Sequence, residues 1–245
     1  MGEDNSDAPR STVAAGYDQL AESADAGDLD PTESPWGDSH FQRHYAWPAL
    51  AAVLPDVAGD RVLLAGCGRG DHVGWFLDRG AAVVGVDVSD RAIAAARDRF
   101  GDSATFRRAD LTDPLDFADG AFDLVVSNLA LSHVESWPPV FEEFRRVLAV
   151  DGTLAFATVH PRYLREGTDA DYYEVAEFAN PWPGADIPTY YRPMGEVVDA
   201  VVSSGFRIEA FEEPRPREAF REHRPDRYAA AMADPQLLVV RAAVD

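Results

Sequence analysis

The sequence predicts an α/β fold: a seven-stranded, mostly parallel sheet with helices on both faces. Three observations carry this. From Arg61 to Val159 short apolar strands alternate with helical stretches, the β-α repeat that builds a parallel sheet. The strands are apolar without strict alternation, as in Val62–Ala65 and Ala82–Val86, which fits burial on both faces. The first strand runs straight into Gly66-Cys67-Gly68-Arg69-Gly70, where missing side chains let the backbone turn tightly against a ligand.

The elements follow in order. Residues 1–37 form an acidic arm rich in Asp and Ser, with a short helix marked by Val13, Tyr17 and Leu20. The main domain is expected over residues 38–245. Phe41, His44, Tyr45, Trp47 and Leu50 mark a helix between Ser39 and Leu54, kinked or interrupted near Pro48. Strand one is Val62–Ala65, followed by a helix from Asp71 to Asp78. Strand two is Ala82–Val86. Ser89 N-caps the helix carrying Ile93, Ala96, Arg97 and Phe100. Strand three is Thr105–Arg108 and strand four Phe122–Ser127. Ser136 caps a helix over Pro138–Val150, with proline in its first turn. Asp151-Gly152 turns into strand five, Thr153–Val159. Residues 160–192 break the pattern with an aromatic, proline-containing insert that includes Tyr163, Tyr172, Tyr173, Phe178, Trp182, Tyr190 and Tyr191. Such an insert reads as an irregular lid over a site. A helix (Met194–Ser204), a strand (Arg207–Phe211), an Arg/Glu-rich connection and a last strand (Gln236–Arg241) complete the chain.

The totals exclude several classes. No apolar run approaches the ~18 residues of a membrane span. The start, MGEDNSDAPR, lacks the basic and apolar regions of a secretory signal. The lone cysteine, Cys67, forms no intrachain disulfide. A cytoplasmic protein is expected. Net charge is −21, from 43 acids and 22 bases, and every base is arginine. At low salt such a surface repels itself. At ~1 M salt the Debye length falls to about 3 Å and the repulsion is screened. This composition points to a halophilic host with a high-salt cytoplasm. There is no dense basic run; Pro214–Arg227, the arginine-richest stretch, alternates in sign. Nucleic acid is therefore not the expected partner.

The stretch Arg61–Asp87 carries the first functional signal. Asp87 ends the second strand 21 positions after Gly66, where a carboxylate accepts hydrogen bonds from both hydroxyls of a ribose. The segment reads as a nucleoside-binding β-loop-α-β unit. A dinucleotide site uses G-x-G-x-x-G with pyrophosphate on a helix N-terminus. Here the spacing is G-x-G-x-G and the sixth position is Asp71, which would repel a pyrophosphate.

In order, VLLAGCGRG, VVGVD, ADLTD, FDLVVSNLALSHV and DGTLAFATVHP resemble the motifs of class I S-adenosylmethionine (SAM) dependent methyltransferases. The likeness covers roughly residues 43–243 and is greatest to the small-molecule type related to quinone methyltransferases. With the acidic composition, it resembles the haloarchaeal form of such a protein. The resemblance implies a Rossmann-like sheet whose last strand is antiparallel, SAM as cofactor and a small-molecule methyl acceptor. It places the backbone around Gly66, Cys67, Gly68 and Gly70 against the methionine and ribose of SAM. Asp87 would hold the ribose hydroxyls, Val88 the adenine face, Asp110 the adenine amino group and Leu111 a ring nitrogen. Asn128 and Leu129 would lie near the transferred methyl, and Tyr45 would reach the cofactor. His133 is the candidate general base. Tyr172, Tyr173, Tyr190, Tyr191 and Arg192 are candidate acceptor contacts.

Two positions depart from the family pattern. An acid commonly stands two residues before the first glycine and helps hold the methionine amino end; here it is Leu64. A Tyr-x-Arg-Pro pattern becomes Tyr45-Ala46-Trp47-Pro48. Other chemistries fit less well. Cys67 lies inside the glycine turn and is not expected to act as a nucleophile. The Asp/Asn-Pro-Pro-aromatic motif of nucleic-acid amino methyltransferases is missing. His40 and His44 share a helical face, but the sequence arranges no third ligand with them, so no metal is expected. Two rival classes stay open at this level: a dinucleotide-dependent oxidoreductase, and a SAM-binding protein without catalysis, for which Leu64 is the motivating feature.

Overall fold

The computed structural model describes residues 12–28, 37, 39–182 and 185–245. Most of the acidic arm, residues 1–11 and 29–36, lies outside the described residues, as do the side chains of Phe178 and Trp182 in the insert. The expected arm helix is α1 (Thr12–Asp25). A helical stretch from residue 40 passes through a π-helical turn, Gln42–Ala46, into α2 (Trp47–Val53). The irregularity expected at Pro48 is this π turn just before it, and the helix is not interrupted. Proline has no N–H for the carbonyl four residues back. Trp47 N–H donates to Gln42 O instead, and the His44 carbonyl accepts from Arg217 N at 3.0 Å.

The alternating unit then runs β1 (Arg61–Ala65), α3 (Val73–Leu77), β2 (Ala82–Asp87), α4 (Asp90–Phe100), β3 (Thr105–Arg108), β4 (Phe122–Asn128), α5 (Trp137–Val147) and β5 (Leu148–Val159). Ser89 caps α4 by accepting from Ala92 N. Ser136 occupies the N-cap of α5 without a side-chain capping bond. After β5 come α6 (Pro161–Arg165), β6 (Ala176–Trp182), β7 (Ala185–Tyr191), α7 (Met194–Ser203), β8 (Phe206–Glu212), α8 (Glu218–His223), α9 (Pro225–Ala233) and β9 (Leu237–Val244).

The main sheet has the order β3-β2-β1-β4-β5-β9-β8. All its neighbours are parallel except β9, which is antiparallel to β5 and β8. This is the expected fold, its antiparallel last strand included. The order reverses between β1 and β4, so the crevice for a ligand opens at their carboxyl ends. Alternate strand residues feed two cores. Leu63, Val125 and Phe156 pack with Trp137, Phe141 and Phe144 of α5 on one face. Val62, Leu64, Val83 and Leu124 pack with Leu50, Phe76, Ile93 and Phe220 on the other. Each large side chain so buried contributes about 1.5–3 kcal/mol.

Two regions differ from the sequence expectation. The insert is not irregular: β6 and β7 form an antiparallel ribbon, Ala176 opposite Tyr191 through Trp182 opposite Ala185. Its signal is a period of two. Ala185, Ile187, Thr189 and Tyr191 are buried, while Pro188 and Tyr190 between them are half-buried. The prolines that argued for a loop are tolerated because the ribbon has only two strands, each with a free edge. The Arg/Glu-rich connection likewise contains two helices, α8 and α9.

Candidate functional site

A cavity of about 340 Å³ opens at the carboxyl ends of β1, β2, β3 and β4. The turn after β1 forms its floor. Gly66 has φ +77°, and a Cβ there would stand 2.3 Å from Ala130 Cβ, so only glycine lets this turn meet the loop after β4. Asp87 ends β2. Its two oxygens accept from Gly68 N at 2.8 Å and Ser89 N at 3.0 Å. Burial raises its pKa, and these backbone donors oppose the rise. Asp110 follows β3 and accepts from Thr112 N at 3.0 Å and Thr112 Oγ1 at 2.7 Å. Leu129 follows β4 in the left-handed region, φ 66°, held by its N–H on Ala157 O at 2.8 Å. That conformation costs a non-glycine residue about 1–2 kcal/mol.

The structure brings Gly66, Cys67, Gly68, Asp87, Val88, Asp110, Leu111, Asn128, Leu129, His133 and Tyr190 together on the cavity wall. Burial pushes the Cys67 thiol pKa up, which disfavours the thiolate. Six expected residues lie elsewhere. Gly70 packs against α4, where a Cβ would meet the Phe100 ring at 2.9 Å. Tyr45 is buried in the core, and its hydroxyl donates to Pro214 O at 2.9 Å. Tyr172 and Tyr173 are 50% and 85% exposed and stack edge to face on each other. Tyr191 is buried, with its hydroxyl on Tyr172 O. Arg192 is buried 4.1 Å above the Trp137 ring and donates to Val134 O. Burial lowers the Arg192 pKa to about 10. It braces the segment carrying His133 and does not line the cavity. These aromatic and cationic groups have the chemistry of acceptor contacts, but sequence does not say which of them, in or beside the ribbon, face the cavity.

Several wall residues went unread in the sequence. Leu64, where the family carries an acid, is buried in the core. The cavity instead has a polar group made from separate segments: Gln42 of the π turn, Asp71, His72 and Asn128. Asn128 Nδ2 donates to Gln42 Oε1 and to His72 Nε2, each at 2.9 Å. This bond requires the His72 tautomer with its proton on Nδ1. The His72 ring stacks on Trp47 at 4.0 Å, and burial pulls its pKa down to about 4, against the opposing pull of Asp71. Asp71 itself receives Arg99 Nη1 at 2.6 Å and Gly37 N at 2.9 Å.

The far wall is a cap. Leu20 and Ala21 of α1 pack on Ala185 and Ile187 of β7, with Val13 and Tyr17 alongside. His133 joins both parts. Its Nδ1 bonds Pro188 O at 2.7 Å, so that nitrogen carries the proton, and Nε2 accepts from the Tyr17 hydroxyl at 2.9 Å. Burial lowers the His133 pKa, which disfavours the charged ring, against the opposing bond to Pro188.

A parallel sheet with a glycine turn after β1 and a carboxylate closing β2 defines an α/β nucleoside-binding protein. Residues 63–156 match the family described as Methyltransferase domain. The chain is 32% identical to a SAM-dependent methyltransferase of known structure from Mesorhizobium loti, covering 80% of this chain and 96% of that one, with a TM-score of 0.67. A SAM-dependent methyltransferase structure from Methanosarcina mazei shares the fold at 21% identity, with 80% and 96% coverage and a TM-score of 0.62. A malonyl-[acyl-carrier protein] O-methyltransferase of Enterobacter lignolyticus is 36% identical over 125 residues, 49% of each chain, so this chain matches about half the length of that relative. The chain belongs to the SAM-dependent methyltransferase family. Its cofactor is SAM, and the cavity fits it: Asn128 lines the wall, and its buried Oδ1 is an acceptor without a partner among the described residues, suited to an ammonium group. Among the described residues no helix is long and apolar enough to cross a membrane.

Proposed function

We propose that this enzyme methylates a small-molecule acceptor held between the glycine turn and the cap of α1 and β7. The observation that carries the reading is the Tyr17–His133–Pro188 chain, which joins both cap elements to the segment after β4. When bound, SAM would supply an electrophilic methyl carbon, which an acceptor lone pair would attack in line as the C–S bond breaks and S-adenosylhomocysteine leaves.

The protein's share is binding, alignment and exclusion of water. Asp87 takes the ribose hydroxyls, and the backbone of Gly66, Cys67 and Gly68 lies along the cofactor. Val88, Leu111 and Asp110 take the adenine. Gln42, His72 and Asn128 replace the missing acid at Leu64 in holding the methionine end. Tyr190 is the acceptor contact retained from the insert. His133 acts as base through Tyr17: the acceptor hydroxyl gives its proton to the Tyr17 oxygen while the Tyr17 proton passes to His133 Nε2. With two phenol rings at this wall, an aromatic hydroxyl of quinol type is the acceptor class we favour.

Residues 38–245 form the methyltransferase unit, with the N-terminal arm closing it through α1. The acid excess adapts the protein to a high-salt cytoplasm; a thermal melt that gains stability from dilute buffer to ~1 M salt supports this, and equal or greater stability in dilute buffer rejects it.

Calorimetric titration with SAM and with NAD tests the cofactor reading, and binding of NAD alone overturns it. Transfer of label from methyl-labelled SAM into fractionated cell extract tests catalysis, with Asp87→Ala as the control. Label in a low-mass product supports the proposal. Label in macromolecules only, or in nothing, rejects it.

A further inference from the structure

His40 and His44 stand one turn apart on the helical stretch before the sheet, and the fold brings them a third partner. Because Pro48 leaves the His44 carbonyl without its helical donor, Arg217 N takes it, which sets α8 beside that stretch. His223, the last residue of α8, then stacks on His40, with ring centroids 3.9 Å apart and planes 12° from parallel. The His44 ring lies 5.4 Å from that of His223 and 5.8 Å from that of His40. One nitrogen from each falls within 4.8 Å of the others.

We propose that His40, His44 and His223 form a transition-metal site that clamps α8 to the helix carrying Gln42. None of the three lines the SAM cavity, so the site is separate from the methyl-transfer centre. Three imidazoles select Zn²⁺ and its borderline neighbours Co²⁺, Ni²⁺ and Cu²⁺ over Mg²⁺ and Ca²⁺, which prefer oxygen. Nitrogens bound at about 2.0–2.1 Å to a tetrahedral ion lie closer together than they do here. Closing the set on an ion requires the rings to turn, and His223 is exposed and so has room to do so. The fourth position falls to water. Metal ligation needs neutral imidazole. Burial and the neighbouring His223, His40, Arg43 and Arg217 all disfavour the charged form of His44.

The test uses untagged full-length protein and Co²⁺, whose visible absorption reports a tetrahedral nitrogen set. One equivalent should bind, be displaced by Zn²⁺ and raise the melting temperature, while Mg²⁺ at the same concentration does neither. His223→Ala should weaken Co²⁺ binding at least about tenfold. Glu222→Gln, at the exposed neighbouring acid, should leave it unchanged. Three results would overturn the proposal: no saturable Co²⁺ binding, a matching response to Mg²⁺, or equal losses in His223→Ala and Glu222→Gln. The last two would mean that the acidic surface, not the imidazoles, gathers the ion.

Discussion

The sheet-side wall of the cavity and the cap wall are built in different ways. The sheet side comes from four strand ends, with Gly66, Asp87, Asp110 and Asn128 each leaving the sheet at its carboxyl edge. Hydrogen bonds of the ladder and two packed cores hold those ends. The cap side comes from α1 and β7, far apart in the chain, joined by one small apolar cluster and by the bonds of His133. The first wall is rigid because the sheet cannot move without unfolding. The second is docked by the apolar cluster and, through Asp18 and Glu22 of α1, by bonds to Ser89 and Arg91 of α4, without a sheet ladder, so it can open at lower cost than the first. Cofactor affinity should therefore follow the sheet side, and turnover the cap.

Mutations that separate the two walls test this. Asp87→Ala removes the acceptor for Gly68 N and Ser89 N as well as the ribose contact. Two charged hydrogen bonds at ~1.5–3 kcal/mol each predict at least about a hundredfold weaker SAM binding by calorimetry. Tyr17→Phe keeps the ring and removes the proton path to His133. Turnover should fall by about 100-fold, within the usual range for acid–base groups, with the SAM Kd unchanged. A loss of SAM affinity there would merge the two walls.

Ile187→Ala trims a fully buried side chain at the joint between α1 and β7. About 2 kcal/mol of docking would be lost, raising acceptor KM about 30-fold while the main unfolding transition stays in place. The last expected effect is a pH slope, read on stability and not on activity. Unfolded His72 takes a proton near its ordinary value, while the folded side chain waits until about 4. In between, the unfolded state binds more protons. Stability is complete above that ordinary value and declines as pH falls toward 4, by roughly 3 kcal/mol from this group. Denaturant melts of His72→Asn over this range should show a shallower slope than the parent. An unchanged slope would remove His72 from the rigid side.

The same division marks what was legible. Strands one to five were readable within a few residues, because unbroken apolar runs between glycine and helix signals have few alternative structures. Asp87 and the glycine turn were readable because a β-loop-α-β unit is local. Tyr17 carried only a helical spacing in an acidic arm, with nothing to say that it meets His133. Arg192 and Tyr191 had the chemistry of acceptor contacts but serve as supports, one on Trp137 and one on Tyr172. Ala185, Ile187, Thr189 and Tyr191 did carry the alternation of a strand, masked by Pro181 and Pro188.

The sequence by itself determined the sheet, its β-α order and the carboxylate that closes β2 at the cavity, since these depend on apolar patterning and on contacts within one short unit. The tertiary structure decided three things. It gathered Gln42, His72 and Asn128 on the cavity wall, closed the cavity with Tyr17 and β7, and set His223 beside His40 and His44. Each brings together side chains from distant segments, and their meeting depends on helix packing and on single bonds such as Arg217 N to the His44 carbonyl. A linear pattern does not encode that geometry, because it emerges only when separate faces are buried against one another.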